Sequence, residues 1–167
     1  MRWIMTAIIA LALLTTGCTT RQAQSAMRTS FDVAMEGVVA GDQALADALP
    51  GAGQRARNRA EERCAGSCPD LAALVLEELH PWEAAYTALG HARETLYLAD
   101  DSLELWIDTG VLPDFGPICA DVEAVFGDLV SLLETVGVDV PGAVAQVAPH
   151  VSTACEVVAR YIEGSGR

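Results

Sequence analysis

The chain has 167 residues and a formal net charge of −13, and it contains no lysine, so that all ten basic residues are arginines. A chain of this length can bury the core of one domain without help from a partner. The acidic balance argues against nucleic acid as a partner, because binding the phosphate backbone needs a basic surface. It also argues against electrostatic attachment to anionic lipids, so any hold on a membrane must have another source.

Residues 1–17 have the three parts of a secretory signal peptide. Met1-Arg2 is a short cationic start, Trp3 to Leu14 is an apolar run, and small or polar residues follow it up to Cys18. The apolar run is too short to cross a bilayer, which takes about 20 residues. We therefore predict that the mature chain is exported.

The end of this segment resembles the lipobox of bacterial lipoproteins, with Gly17 and Cys18 in the last two positions and Thr15 where Leu is usual. The resemblance implies cleavage after Gly17, acylation of Cys18 with fatty acids such as palmitate, and the lipid bilayer as a partner. The next residue is Thr19 and not Asp, which in a bacterium with two membranes implies the outer membrane, at its periplasmic face or on the cell surface. An ordinary cleaved signal peptide without acylation is the alternative.

The mature chain is predicted to begin with a tether. Residues 18–28 are small and polar after the cysteine and show no periodic pattern, which is typical of a flexible connection to a membrane anchor. We predict one helical-bundle domain over residues 29–163 and a disordered tail over residues 164–167.

The predicted fold class is all-α, because apolar residues recur at steps of three and four and no segment alternates with period two. Proline and glycine divide the domain into four principal helices, predicted as a disulfide-braced up-and-down bundle. The first helix is predicted to end at residues 50–53, and the second to begin at Pro69 and bend or restart at Pro81. The third is predicted to begin at Pro117, and the fourth to begin at Pro141 and be kinked or interrupted at Pro149.

Three features of this pattern stand out. Gln54 to Arg63 is highly charged with almost no apolar stripe, which predicts a short extra helix on the surface. Gly37 and Gly41 weaken the first helix by up to about 1 kcal/mol each relative to alanine, so the close packing of a neighbour is their expected reason. The clearest heptad predicts a long buried face and consists of Trp82, Ala85, Leu89, Ala92, Leu96, Ala99, Leu103 and Trp106.

Four cysteines remain when Cys18 is set aside, and in an exported chain an even number indicates disulfides. Cys64 and Cys68 flank one predicted turn. Cys119 and Cys155 lie equally far from the predicted turn between the third and fourth helices, so they would face each other across an antiparallel hairpin. We predict these two pairs, although four cysteines permit three connectivities.

A metal site is the alternative use of these side chains. Cysteine and histidine are zinc and copper ligands, and a Glu-x-x-His step is half of a di-iron site. Only one such step is present, the cysteine spacing of zinc knuckles is absent, and the acidic strip lacks the calcium-loop pattern, so we predict no metal and no cofactor. The residues weighed are Cys64, Cys68, Glu77, His80, His91 and His150, and in the acidic strip Asp100, Asp101, Glu104 and Asp108.

Four of the ten basic residues gather in Arg55, Arg57, Arg59 and Arg63. This cluster is a candidate contact for phosphate, a glycan polymer or an acidic protein. Two glutamates lie among the arginines, so a self-paired surface helix with the pairs Arg57–Glu61 and Arg59–Glu62 is the alternative.

No catalytic motif emerges from the sequence. The serines lack nucleophile-elbow surroundings, the histidines lack a visible triad partner, and no glycine-rich phosphate loop follows a strand. We predict a non-enzymatic bacterial envelope lipoprotein that serves as an interaction or structural module, with an envelope protein as a partner. The alternative is an exported helical bundle that binds a metal or a small ligand.

Overall fold

The computed structural model describes residues 19–64 and 70–165, and these residues form four α-helices and no strand. The predicted signal peptide, Cys18 and Cys68 lie outside the described residues. The all-α class and the four principal helices are confirmed. The helices are α1 (Thr20–Arg63), α2 (Leu71–Thr109), α3 (Phe115–Thr135) and α4 (Gly142–Ser165).

The first helix begins much earlier than the sequence pattern predicts. Thr19 is the N-cap: its side-chain oxygen accepts a hydrogen bond from the Gln22 backbone N–H, and its own N–H donates to Gln22 Oε1 at 2.9 Å. This reciprocal capping box stabilises the first turn. Ala23 and Met27 are fully buried, so the prediction of an unstructured tether over residues 18–28 is wrong from Thr19 onward.

Helix α1 also continues through Pro50, where the sequence predicts its end. A proline inside a helix removes one hydrogen bond and costs stability. Here Ala52, Ala56 and Ala60 recur at four-residue steps and are 3%, 0% and 0% exposed, so their packing maintains the helix. The prediction of a separate surface helix over Gln54–Arg63 is therefore wrong, because its apolar stripe is made of alanine.

At two other prolines the helix also continues. Pro81 and Pro149 lie inside continuous helices, so the predicted restart and interruption do not occur. Buried residues such as Val147 and Val151 lie on both sides of Pro149. Helix α2 ends at Thr109, and Gly110 caps it with a φ of +69°. The predicted tail is also partly helical, because α4 extends to Ser165.

Helix α3 begins slightly before the predicted Pro117. Asp114 is the N-cap, and its Oδ1 accepts a hydrogen bond from the Gly116 N–H at 3.1 Å. Phe115 is consequently the first helical residue and Pro117 lies in the first turn, where a proline has no intrahelical hydrogen bond to lose.

Contacts between distant residues show which helix ends lie together. Arg28 near the start of α1 forms an ion pair with Glu104 near the end of α2. Thr20 Oγ1 donates to the Tyr161 hydroxyl near the end of α4 at 3.0 Å. Helix α1 packs against α2 and α4, and α3 packs against the same two helices.

The first two helices are much longer than the other two. At 1.5 Å per residue, α1 and α2 extend about 66 and 58 Å, whereas α3 and α4 extend about 32 and 36 Å. Trp106 contacts Phe115 at the start of α3, with ring centroids 5.5 Å apart. Trp82 lines the same cleft as Val136 at the end of α3. The last turns of α1 and the start of α2 therefore project past the α3–α4 turn as a pair of helices. This pair, residues 55–63 and 71–81, is called here the two-helix projection.

The core runs along the axis of the bundle, and every position of the predicted α2 heptad is buried. Gly37 and Gly41 are buried as well. A β-carbon on Gly41 would lie 3.3 Å from Leu89 Cδ1 in α2. The close packing predicted at these glycines is therefore present.

Candidate functional site

The α3–α4 hairpin contains the predicted Cys119–Cys155 disulfide, with the two Cα atoms 6.3 Å apart. Gly137 is the midpoint of this pair in the sequence, and its φ of +73° permits the tight turn there. Both cysteines are half-buried against the core. Cys64 is also disulfide-bonded, whereas Cys68, its predicted partner, lies outside the described residues.

The arginine cluster lies on the two-helix projection, and three of its members form ion pairs. Arg57 pairs with Glu61 at 2.8 Å, as the helical spacing predicts. Arg59 pairs with Glu78 of α2 at 3.1 Å, in place of the predicted pair with Glu62. The continuous α1 brings these guanidinium groups beside α2, which a separate surface helix would not have done.

Arg63 completes this arrangement by contacting Glu77 at 3.4 Å and Glu78 at 3.1 Å. These pairs join the end of α1 to the start of α2. Their charged groups are largely solvent-exposed, apart from Glu78 at 19%, so each pair contributes little to stability. The predicted Glu77 and His80 step therefore has its carboxylate engaged by an arginine.

Arg55 has different surroundings from the rest of the cluster. It makes no ion pair within residues 19–64 and 70–165. With Asn58 it lines an open cleft of about 760 Å³, which Trp82 and Gly137 also line. Its guanidinium can therefore donate hydrogen bonds to a carboxylate or phosphate oxygen, although Glu77 and Glu78 line the same cleft.

The histidines are distributed over different surroundings. His80 and His91 line one shallow cleft between α2 and α3, together with Asp128. His150 uses its backbone carbonyl to accept a hydrogen bond from Ser30 Oγ at 2.9 Å. Nowhere in the described part of the chain do three or more His, Cys, Asp or Glu side chains gather closely enough to hold a metal ion.

The acidic strip of α2 is a solvent-exposed face for the most part. Asp100, Asp101 and Asp108 are exposed, and Glu104 is half-buried and engaged by Arg28 of α1. The strip thus contributes one carboxylate to an interhelical ion pair and three to the surface.

Sequence reasoning missed the apolar character of the outer surface. Leu76 is 68% exposed on the two-helix projection, and Val111 is 65% exposed in the α2–α3 loop. A heptad analysis assigns apolar residues to the core and gives no weight to those that fall off the stripe. The large apolar side chains that the structure leaves exposed are Val39, Leu49, Leu76, Tyr97, Leu98, Leu105, Ile107 and Val111.

Comparison with known proteins finds no match among family models, curated proteins or solved structures. None of the four described helices combines the length and the hydrophobicity that crossing a membrane requires.

Proposed function

We propose that this chain is a bacterial envelope lipoprotein, a non-enzymatic helical bundle that is held on a membrane by an acylated Cys18 and serves as an interaction or structural module. The observation that carries the proposal is the order of residues 1–18, in which a cationic start, an apolar run and Gly17-Cys18 follow one another. The predicted location is the outer membrane, at its periplasmic face or on the cell surface.

The bundle is proposed to have up-and-down topology. Three contacts support this arrangement: Arg28 with Glu104, Thr20 with Tyr161, and Cys119 with Cys155. The first two contacts each join a residue near the start of α1 to a residue near the end of a neighbour, and the disulfide joins the start of α3 to the middle of α4. Antiparallel neighbours with short connections are the usual form of a four-helix bundle.

The character of the interior supports an interaction or structural role. Among the described residues the core is aliphatic and aromatic, and Ser30 is its buried polar residue. The Ser30 hydroxyl is satisfied by the His150 carbonyl. An apolar core whose buried polar group is satisfied gives stability but presents no set of polar groups that converges on a ligand, so recognition is assigned to the outer surface.

The arginine cluster and the cleft beside it are the proposed contact for an envelope protein partner. Arg55 is the member whose guanidinium no carboxylate of the described residues engages, and a partner carboxylate is the chemistry that it fits. Replacement of Arg55 by Glu is expected to weaken chemical crosslinking to that partner in intact cells. Replacement of Arg57, which Glu61 already pairs, is the matched control.

The anchor is tested by labelling growing cells with a radioactive or clickable fatty acid. The parent chain is expected to incorporate the label and to sediment with membranes. Cys18→Ser is expected to lose the label and to leave the membrane fraction, whereas Thr16→Ser changes a neighbouring small polar residue and keeps both properties. A Cys18→Ser protein that remains in the membrane fraction would contradict the proposed anchor.

A further inference from the structure

One end of the bundle carries the start of α1, and three contacts identify the other elements at that end. Thr20 contacts Tyr161 near the end of α4. The Tyr161 ring lies 5.7 Å from the ring of Trp106 near the end of α2, and Trp106 lies 5.5 Å from Phe115 at the start of α3. The α2–α3 loop therefore lies at the same end as Thr20.

The loop at this end is ordered and presents an apolar side chain outward. Gly110 turns the chain with its φ of +69°, and the Val111 N–H donates to Thr109 Oγ1 at 3.1 Å. Leu112 packs against the core and fixes the loop to the bundle. Val111 remains 65% exposed and Ile107 39% exposed.

The capping box at Thr19 determines how far this end can lie from an anchored cysteine. Only Thr19 separates Cys18 from the first residue of α1, and consecutive Cα atoms are about 3.8 Å apart. A tether of ten flexible residues would let the bundle drift and rotate, whereas a single capped residue does not. An acyl chain on Cys18 would hold the Thr20 end of the bundle at the membrane surface.

We propose that the α2–α3 loop is a membrane contact, with Val111 and Ile107 entering the interface of the bilayer to which Cys18 is anchored. This inference rests on the proposed acylation. The neighbouring Asp108 and Asp114 are exposed, so the loop alone is too acidic to bind a bilayer strongly. Its role is to orient an already anchored bundle, since apolar side chains enter the interface while carboxylates remain in water.

The test replaces Val111 with the photocrosslinker p-benzoylphenylalanine in the full chain, processed in cells and reconstituted into phosphatidylcholine vesicles. Leu76 is the matched control, because it is similarly exposed at 68% but lies on the two-helix projection at the opposite end. After illumination, mass spectrometry is expected to find several-fold more phospholipid adduct at position 111 than at position 76.

The same sample separates the two ways in which the inference can fail. Mass spectrometry of the N-terminal peptide reports whether Cys18 is acylated. An unacylated Cys18 would remove the anchor and the inference together. An acylated protein with equal adduct at the two positions would overturn the membrane contact alone and leave the anchor in place. Circular dichroism of both variants checks that the bundle is folded.

Discussion

Gly37 in α1 and Val147 in α4 approach so closely that a β-carbon on Gly37 would lie 2.7 Å from Val147 Cγ2 and 3.3 Å from the Ala143 carbonyl oxygen. Real β-carbons do not tolerate the first distance, and the backbone atom at the second cannot move aside as a side chain can. The spacing of α1 and α4 therefore requires glycine at this position.

Gly37→Ala is expected to destabilise the bundle by about 1–3 kcal/mol, the usual cost of overpacking a core. Urea unfolding followed by circular dichroism measures it. Gly127→Ala is the matched control, because it is also a helical glycine but a β-carbon there would meet nothing within 4 Å. The control is expected to gain up to about 1 kcal/mol from helix propensity. Equal effects at the two positions would show that the close approach is absent.

The Cys119–Cys155 disulfide closes a loop of 36 residues. In the chain-entropy model the disulfide stabilises the fold by restricting the unfolded chain. Its removal is therefore expected to lower the free energy of unfolding by about 3–4 kcal/mol. The double variant Cys119→Ala/Cys155→Ala is expected to unfold at a correspondingly lower urea concentration while it keeps its helical spectrum. An unchanged unfolding midpoint would contradict the assigned bridge.

The sequence predicts this protein best where large apolar residues repeat regularly. The α2 heptad is buried at each position, and the predicted turn between the third and fourth helices is present, with Gly137 at a positive φ. The pairing of Cys119 with Cys155 follows from their symmetry about the turn. These features depend on local periodicity and on distances along one hairpin, and both can be read from a single chain.

The errors have one physical cause, which is that tertiary packing outweighs local propensity. Pro50 would end an isolated helix, but the alanines after it are buried and the helix continues. A row of alanines gives a weak hydrophobic pattern, although it packs as closely as any other stripe. The segment after Thr19 resembles a tether for the same reason, since its apolar residues are two alanines and Met27. The ion pair of Arg59 with Glu78 links two different helices, and local periodicity does not show which residues of two helices face each other.

The alanine row of the two-helix projection gives a direct test of this explanation. Ala56 is 0% exposed, so Ala56→Glu would bury a charge and is expected to cost about 2–4 kcal/mol of stability. Ala46 is an exposed alanine of the same helix, and Ala46→Glu is expected to change stability by less than about 0.5 kcal/mol. Thermal unfolding compares the two variants. A separate, solvated helix over Gln54–Arg63 would instead tolerate both substitutions equally.

Thr19 has two roles in the proposed protein, and one substitution separates them. Its side chain caps α1, and because it is not Asp, it is predicted to permit delivery of the acylated protein to the outer membrane. Aspartate is also a good N-cap, so Thr19→Asp keeps the helix start. In a bacterium with two membranes, Thr19→Asp is expected to shift the acylated protein from the outer to the inner membrane, with no loss of thermal stability. Membrane separation on a sucrose gradient and a melting curve measure the two quantities.

Thr19→Ser is the matched control for this experiment, because serine caps a helix as well as aspartate does. Serine is not the Asp that is expected to retain the protein in the inner membrane. It is expected to leave both the location and the melting temperature unchanged. If the aspartate variant stayed in the outer membrane while remaining acylated, the proposed sorting role of Thr19 would be wrong. If both variants melted earlier, the capping box would depend on the threonine methyl group, which the hydrogen bonds of Thr19 with Gln22 do not predict.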